Sequence, residues 1–137
     1  MSGYDYTVTG VMDAPVERVW QVWTEAEHYT GVFHGVPGSA KLDVRPGGSW
    51  RVTISVPEAG EERMSGSYVE VVPHRRLVTT MDGHEASPMA MDLKDLGGRT
   101  EITFTQTCAT AEERDQSEEG SRILLQWCAD HLATLHP

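Results

Sequence analysis

The chain has 137 residues, 39% of them apolar and 23% charged, with a formal net charge of -10. That length suits one domain that buries roughly two-thirds of its unfolded surface, and the composition excludes a disordered chain. The 21 acidic against 11 basic side chains repel phosphate backbones and anionic lipid, which argues against nucleic acid or a membrane as partner.

Tyr4, Tyr6, Val8, Gly10 and Met12 alternate with Asp5, Thr7 and Thr9, the period of a half-buried strand. Asp13-Ala14-Pro15 then starts a helix, with Pro15 suited to the first helical position. Val16, Val19, Trp20 and Trp23 recur at helical spacing as its apolar stripe. A second short helix is expected around Glu25 to Tyr29, followed by a loop over 34–38.

From Ser39 the texture is that of strands. Ala40, Leu42 and Val44 alternate, as do Trp50, Val52, Ile54 and Val56. Between them lies Arg45-Pro46-Gly47-Gly48, whose glycine pair could be a phosphate cradle or a corner in a sheet. A cradle hands its glycines to a helix N-terminus, and here they are followed by a β-type alternation. The stretch is therefore a hairpin corner, with Pro46 fixing φ and Gly47 taking a positive φ.

Further strands are expected over Met64 to Val72, from Leu77 to an Asp82-Gly83 hairpin turn, over Met89, Met91 and Leu93, and from Ile102 through Phe104 to Cys108. Thr110 and Glu113 form an S/T-x-x-E capping box that opens a helix, and AEERDQSEEG suits its positive N-terminal end or simply a solvated face. Gly120 is expected to bend or interrupt this helix. Beyond it, Leu124, Cys128, His131 and Leu135 make an apolar stripe, with Ile123 and Trp127 beside it. The order is strand, two short helices, six strands in hairpin succession and a long final helix. Such a sheet covers its apolar face with the longest amphipathic element, which gives an α+β class.

No apolar run approaches the roughly 18 residues of a membrane span, and MSGYDYTVTG lacks the features of a signal peptide. Cys108 and Cys128 are too few for a disulfide framework or a zinc site. A reduced, cytoplasmic protein is expected.

Four stretches together carry a resemblance: "APVERVW" (14–20), "RPGGSWR" (45–51), "GSYVEVVPHRRLV" (66–78) and "GGRTEITFTQT" (97–107). They resemble the activator-of-heat-shock-chaperone-ATPase-like (AHSA-type) group of the START-like, or SRPBCC, superfamily, which also holds the aromatic polyketide cyclases. The resemblance runs from about Tyr6 to Leu135. It implies one START-like domain over 1–137 with a helix-grip fold: a curved antiparallel sheet around a long C-terminal helix, two short helices after the first strand, and an apolar cavity between sheet and helix. Pro15, Trp20, Pro46, Gly47, Gly48, Trp50, Gly66, Pro73 and Leu77 match recurring positions of the group, each for a structural reason. The group has no invariant catalytic set, so no catalytic residue is inherited, and no cofactor is implied. Where many members carry a tryptophan after the second short helix, this chain has Tyr29 and Phe33, at a segment that commonly rims the cavity.

In that fold the faces bearing Trp23, Tyr29, Phe33, Trp50, Met89, Met91, Phe104, Leu124, Trp127, Cys128 and His131 are expected to converge on the cavity. Of the other five histidines, His28, His34, His74, His84 and His136, most read as exposed loop or turn residues, and no histidine spacing suits a metal. His131 is open to two readings. It is a half-buried histidine satisfied by a backbone or hydroxyl partner, or a cavity residue that bonds or deprotonates a ligand. The leading functional reading is the binding of a small apolar or aromatic molecule, with cyclase- or hydrolase-like chemistry or a part in natural-product biosynthesis or resistance as the activities the resemblance brings. The rival is a protein-interaction module, a co-chaperone or regulatory partner, docking through its acidic face. The partners this allows are the small ligand and a second copy of the chain in a homodimer.

Overall fold

Alternation becomes sheet along most of the chain. In the computed structural model, which describes residues 4–56, 58 and 60–135, the strands are β1 (Tyr4–Met12), β2 (Lys41–Leu42), β3 (Ser49–Val56), β4 (Gly60–Val72), β5 (Arg76–Met81), β6 (Met89–Asp95) and β7 (Thr100–Cys108). They form one antiparallel sheet in the order β1-β7-β6-β5-β4-β3-β2. The helices are α1 (Val16–Thr24), α2 (Ala26–Val32) and α3 (Ala111–Ala133). The sheet curves around α3, with α1 and α2 covering the rest of its concave face, so the fold is the α+β helix-grip.

Register decides which side chains meet. Tyr6 faces Gln106, Gln106 faces Met89, Met89 faces Thr79, and Thr79 faces Tyr68. These five residues make one row across five strands on the concave face. The neighbouring row is Val8, Phe104, Met91 and Leu77, and it belongs to the closed core. A bulge between Tyr68 and Glu70 shifts the β4 register, and such an extra residue bends its strand.

The corner at 45–48 is a turn, closed by Gly48 N–H donating to the Arg45 carbonyl at 2.8 Å, with Gly47 at φ 85°. It is also tied into the sheet, because Gly47 N–H donates to the Tyr68 carbonyl (2.8 Å) and Tyr68 N–H to the Gly48 carbonyl (2.9 Å). β2 is two residues long, and Val44 falls outside it.

Other expectations need adjustment. Pro15 is the N-cap of α1, one residue before the first helical position, and its carbonyl accepts from Arg18 and Val19. The buried stripe of α1 is Val16, Val19, Val22 and Trp23, while Trp20 is half-buried and meets the His74 ring edge-on. The second helix runs to Val32, and β4 begins at Gly60. Gly83 takes φ 88°, but β5 and β6 are joined by a longer loop over 82–88.

The final helix shows the largest difference. One arm of its capping box forms as expected, Glu113 N–H donating to Thr110 Oγ1 (3.1 Å), while the Glu113 carboxylate accepts from Ala109 N–H (3.2 Å), one residue before the N-cap. Gly120 does not interrupt it, and α3 is continuous for 23 residues. Its buried residues are Ser121, Leu125, Cys128 and Leu132, in place of the expected Leu124, Cys128, His131 and Leu135. The two stripes share Cys128 and differ by a rotation about the helix axis. Gly10 settles the choice, because a Cβ there would lie 3.1 Å from Leu125 Cδ1. The missing side chain in β1 is the slot into which Leu125 packs.

Candidate functional site

Between the N-terminal half of α3 and strands β3 to β7 the concave face is not filled. It leaves a cavity of about 510 Å³. The loop over 82–88 contributes His84 and Ser87 to it, α2 and the residue after it contribute Tyr29 and Phe33, and α3 contributes Ser117, Gly120, Ser121, Leu124 and Trp127. Gly120 borders the cavity with open space in front of it. A Cβ at this position would meet nothing within 4 Å, and a larger side chain would enter the cavity.

Six of the residues expected at the cavity line it: Tyr29, Phe33, Trp50, Met89, Leu124 and Trp127. Trp23, Met91 and Phe104 instead line a smaller inner void of about 40 Å³, which shares Tyr29, Thr79 and Met89 with the main cavity. Cys128 and His131 line neither. Cys128, on the buried face of α3 beside Trp23, is fully buried, and that burial pushes its thiol up to about 12. It is a core residue, and at neutral pH it is not a nucleophile.

His131 is turned toward α2. Its Nε2 lies 3.1 Å from His28 Nδ1, and its ring occupies the space beside Gly31, where a Cβ would overlap it. Neither earlier reading of His131 describes this arrangement: its partner is another histidine, and its place is the α2–α3 junction. Burial and then the neighbouring His28 lower its pKa. A third histidine serves the same junction, since the His34 ring lies 4.5 Å from the Trp127 ring at an interplanar angle of 30°. His136 lies outside the described residues. Among the described residues, no three His, Cys, Asp or Glu side chains cluster as metal ligands would.

The apolar wall is an aromatic group. Tyr29 and Phe33 rings sit 4.5 Å apart, Trp23 meets Phe33 edge-on at 6.0 Å, and Tyr29 lies 6.2 Å from Trp50. Trp50 is held by its indole N–H, which donates to the Thr80 carbonyl at 3.1 Å. Gly66 makes that approach possible, because a Cβ there would overlap the same carbonyl and press on the indole. Burial raises the pKa of both Tyr29 and Tyr68, so these hydroxyls stay protonated. Tyr68 Oη and Trp23 Nε1, of residues that line the inner void, are buried and have no hydrogen-bond partner among the described residues.

The opposite wall is polar, and sequence reasoning missed it. Tyr6 Oη is 2.8 Å from Gln106 Oε1 and 2.8 Å from Ser121 Oγ, and Gln106 Nε2 donates to the Ser87 carbonyl at 2.7 Å. Burial raises the Tyr6 pKa, against a smaller opposing effect of the Ser121 hydrogen bond. One signal was available. In Thr100, Ile102, Phe104, Gln106 and Cys108, the inward-facing residues of β7, glutamine is the one side chain with an amide.

The chain matches the family described as "Activator of Hsp90 ATPase homolog 1-like protein" over residues 13–136. Solved structures share its fold. Protein NE0264 from Nitrosomonas europaea aligns with a TM-score of 0.80 at 22% identity, covering 96% of this chain and 95% of that one. Protein Ms6760 from Mycobacterium smegmatis aligns at 0.78 and 22% identity, covering 96% and 92%. The AHSA1-like protein from Aeromonas hydrophila aligns at 0.80 and 15% identity, covering 95% and 92%. No curated protein matches the chain.

Proposed function

The chain belongs to the Activator of Hsp90 ATPase homolog 1-like family of the START-like superfamily, and on that footing we propose that it binds a small apolar or aromatic molecule between sheet and α3. One observation carries the reading: a cavity of about 510 Å³ with aromatic residues on one wall and a small set of fixed polar groups on the other. Small-molecule sites have this size and this mixture, with apolar area for affinity and a few polar atoms for orientation. No helix among the described residues is long and apolar enough to cross a membrane.

The finer reading takes the ligand to be an aromatic, polyketide-like molecule, held as a reactive conformer by a cyclase or sequestered in resistance. Holding a conformer asks only for shape and positioned hydrogen bonds, which this wall can supply. Hydrolase-like chemistry has less support. Burial keeps the Tyr6 hydroxyl protonated, as a donor and not a base, and the lining histidine His84 is carried on an exposed loop.

Tryptophan emission tests the proposal, since Trp50 and Trp127 both line the cavity. Titration with a panel of aromatic polyketide-like compounds should give saturable changes in emission, and these should shrink in Trp127→Phe. Flat emission across the panel, together with a stoichiometric protein partner recovered on pull-down, would put the interaction-module reading in its place.

A further inference from the structure

The polar wall of the cavity has a direction, and the hydrogen bonds fix it. Gln106 Nε2 faces the Ser87 carbonyl at 2.7 Å, an acceptor that only the amide N–H₂ end can satisfy, so the amide oxygen points to Tyr6. The Tyr6 hydroxyl donates to that oxygen at 2.8 Å, which uses its single hydrogen. Ser121 Oγ, 2.8 Å from Tyr6 Oη, must therefore be the donor of that pair. The chain runs one way, from Ser121 to Tyr6 to Gln106 to the Ser87 carbonyl. Acceptor capacity is left on Ser121 Oγ and Tyr6 Oη, and one N–H on Gln106. The Trp50 indole N–H cannot help, because Thr80 already takes it.

Charge narrows the ligand further. The lining contains no lysine or arginine, and its one carboxylate is that of Glu113. An anionic ligand would give up its hydration for a cavity that offers no cation in return, which is strongly unfavourable.

Building on the binding role proposed above, we infer that the cavity selects an uncharged aromatic ligand whose hydroxyl or N–H donates to Ser121 and Tyr6, and that it rejects the corresponding carboxylate. The relay thus acts as a specificity element. Ser121 and Tyr6 lie on different elements, α3 and β1, so a ligand donor placed between them also holds the helix to the sheet.

A matched series tests this: 2-hydroxyanthracene, 2-methoxyanthracene and anthracene-2-carboxylate, titrated by fluorescence at neutral pH. The hydroxyl compound should bind about tenfold more tightly than the methyl ether, the effect of roughly one buried hydrogen bond. The carboxylate should bind weakest. Ser121→Ala should shrink the preference for hydroxyl over methoxy while leaving the ether's affinity in place, and the variant that also carries Tyr6→Phe should lose it. Tyr6→Phe alone should also shrink it, with circular dichroism confirming that each variant is folded. A carboxylate that binds as tightly as the hydroxyl compound would overturn the inference, and so would a preference that survives both substitutions. Binding by none of the three would instead overturn the binding role itself, and the inference with it.

Discussion

The two halves of α3 do opposite things. From Glu113 to Leu124 the helix presents Gln116, Ser117, Gly120 and Ser121 to the cavity, and of these Ser121 reaches the sheet, through its hydrogen bond with Tyr6. From Leu125 to Leu132 it presents Leu125, Cys128 and Leu132, all buried in the core. One continuous helix is therefore a cavity wall at one end and a core element at the other. A cavity in a fold of this size persists only if something nearby holds the covering helix in place. The second half of α3 does that, with Trp127 as its one residue at the cavity, so stability and binding reside largely in different turns of the same helix.

The sharpest way to break this division is to truncate the core half. Leu132→Ala removes a buried side chain and should lower the unfolding free energy by about 2–5 kcal/mol, as for other buried leucines. Chemical denaturation would measure it. Whatever fraction remains folded should bind aromatic ligands with wild-type affinity. A large loss of affinity in that fraction would show that the two halves are not separable.

The converse substitution acts on the cavity half. Gly120→Trp directs an indole into open space, and it replaces a residue that weakens a helix interior by about 1 kcal/mol relative to alanine. Stability should change by no more than about that amount, in either direction. Ligand affinity should fall by at least about tenfold, since the indole occupies the volume a ligand needs. Retained affinity in Gly120→Trp would mean that ligands bind elsewhere.

The same division separates what could be read in the sequence from what could not. The strands, the 45–48 corner and the Thr110–Glu113 capping box are signals local to a few residues, and each appears where its local chemistry puts it. The resemblance supplied the grip arrangement and hence the aromatic wall of Tyr29, Phe33, Trp50 and Trp127. The relay of Tyr6, Gln106 and Ser121 was hidden for a physical reason. It depends on the β1–β7 register and on the rotation of α3, which join residues 100 and 115 positions apart. The rotation itself was ambiguous, because two helical stripes share Cys128 and the deciding feature, the slot over Gly10, lies on another element. That error placed His131 in the cavity when it belongs to the junction with α2.

The smallest predicted effect concerns that junction. His28 Nδ1 and His131 Nε2 share a hydrogen bond at 3.1 Å, in which one nitrogen donates and the other accepts, so the bond cannot survive protonation of both rings. The groups facing the pair are Gly31, beside the His131 ring, and the Glu25 carboxylate, 3.9 Å from His28 Nε2. Burial and His28 both lower the His131 pKa in the folded protein. A base with a depressed folded pKa binds its proton more readily when unfolded, at about 6.5 for histidine. Its stabilising contribution is therefore complete above that value and disappears as pH falls through the lower, folded one. Melting temperatures of the wild type should decline across this interval, and His131→Leu should flatten the decline. Because His131 does not line the cavity, the same variant at neutral pH should keep its affinity for 2-hydroxyanthracene and its preference over the methyl ether. Equal acid slopes in the two proteins would remove the histidine pair as the source. A loss of the hydroxyl preference in His131→Leu would mean instead that the junction and the polar wall communicate along α3, and that the two halves of the helix are less independent than their packing indicates.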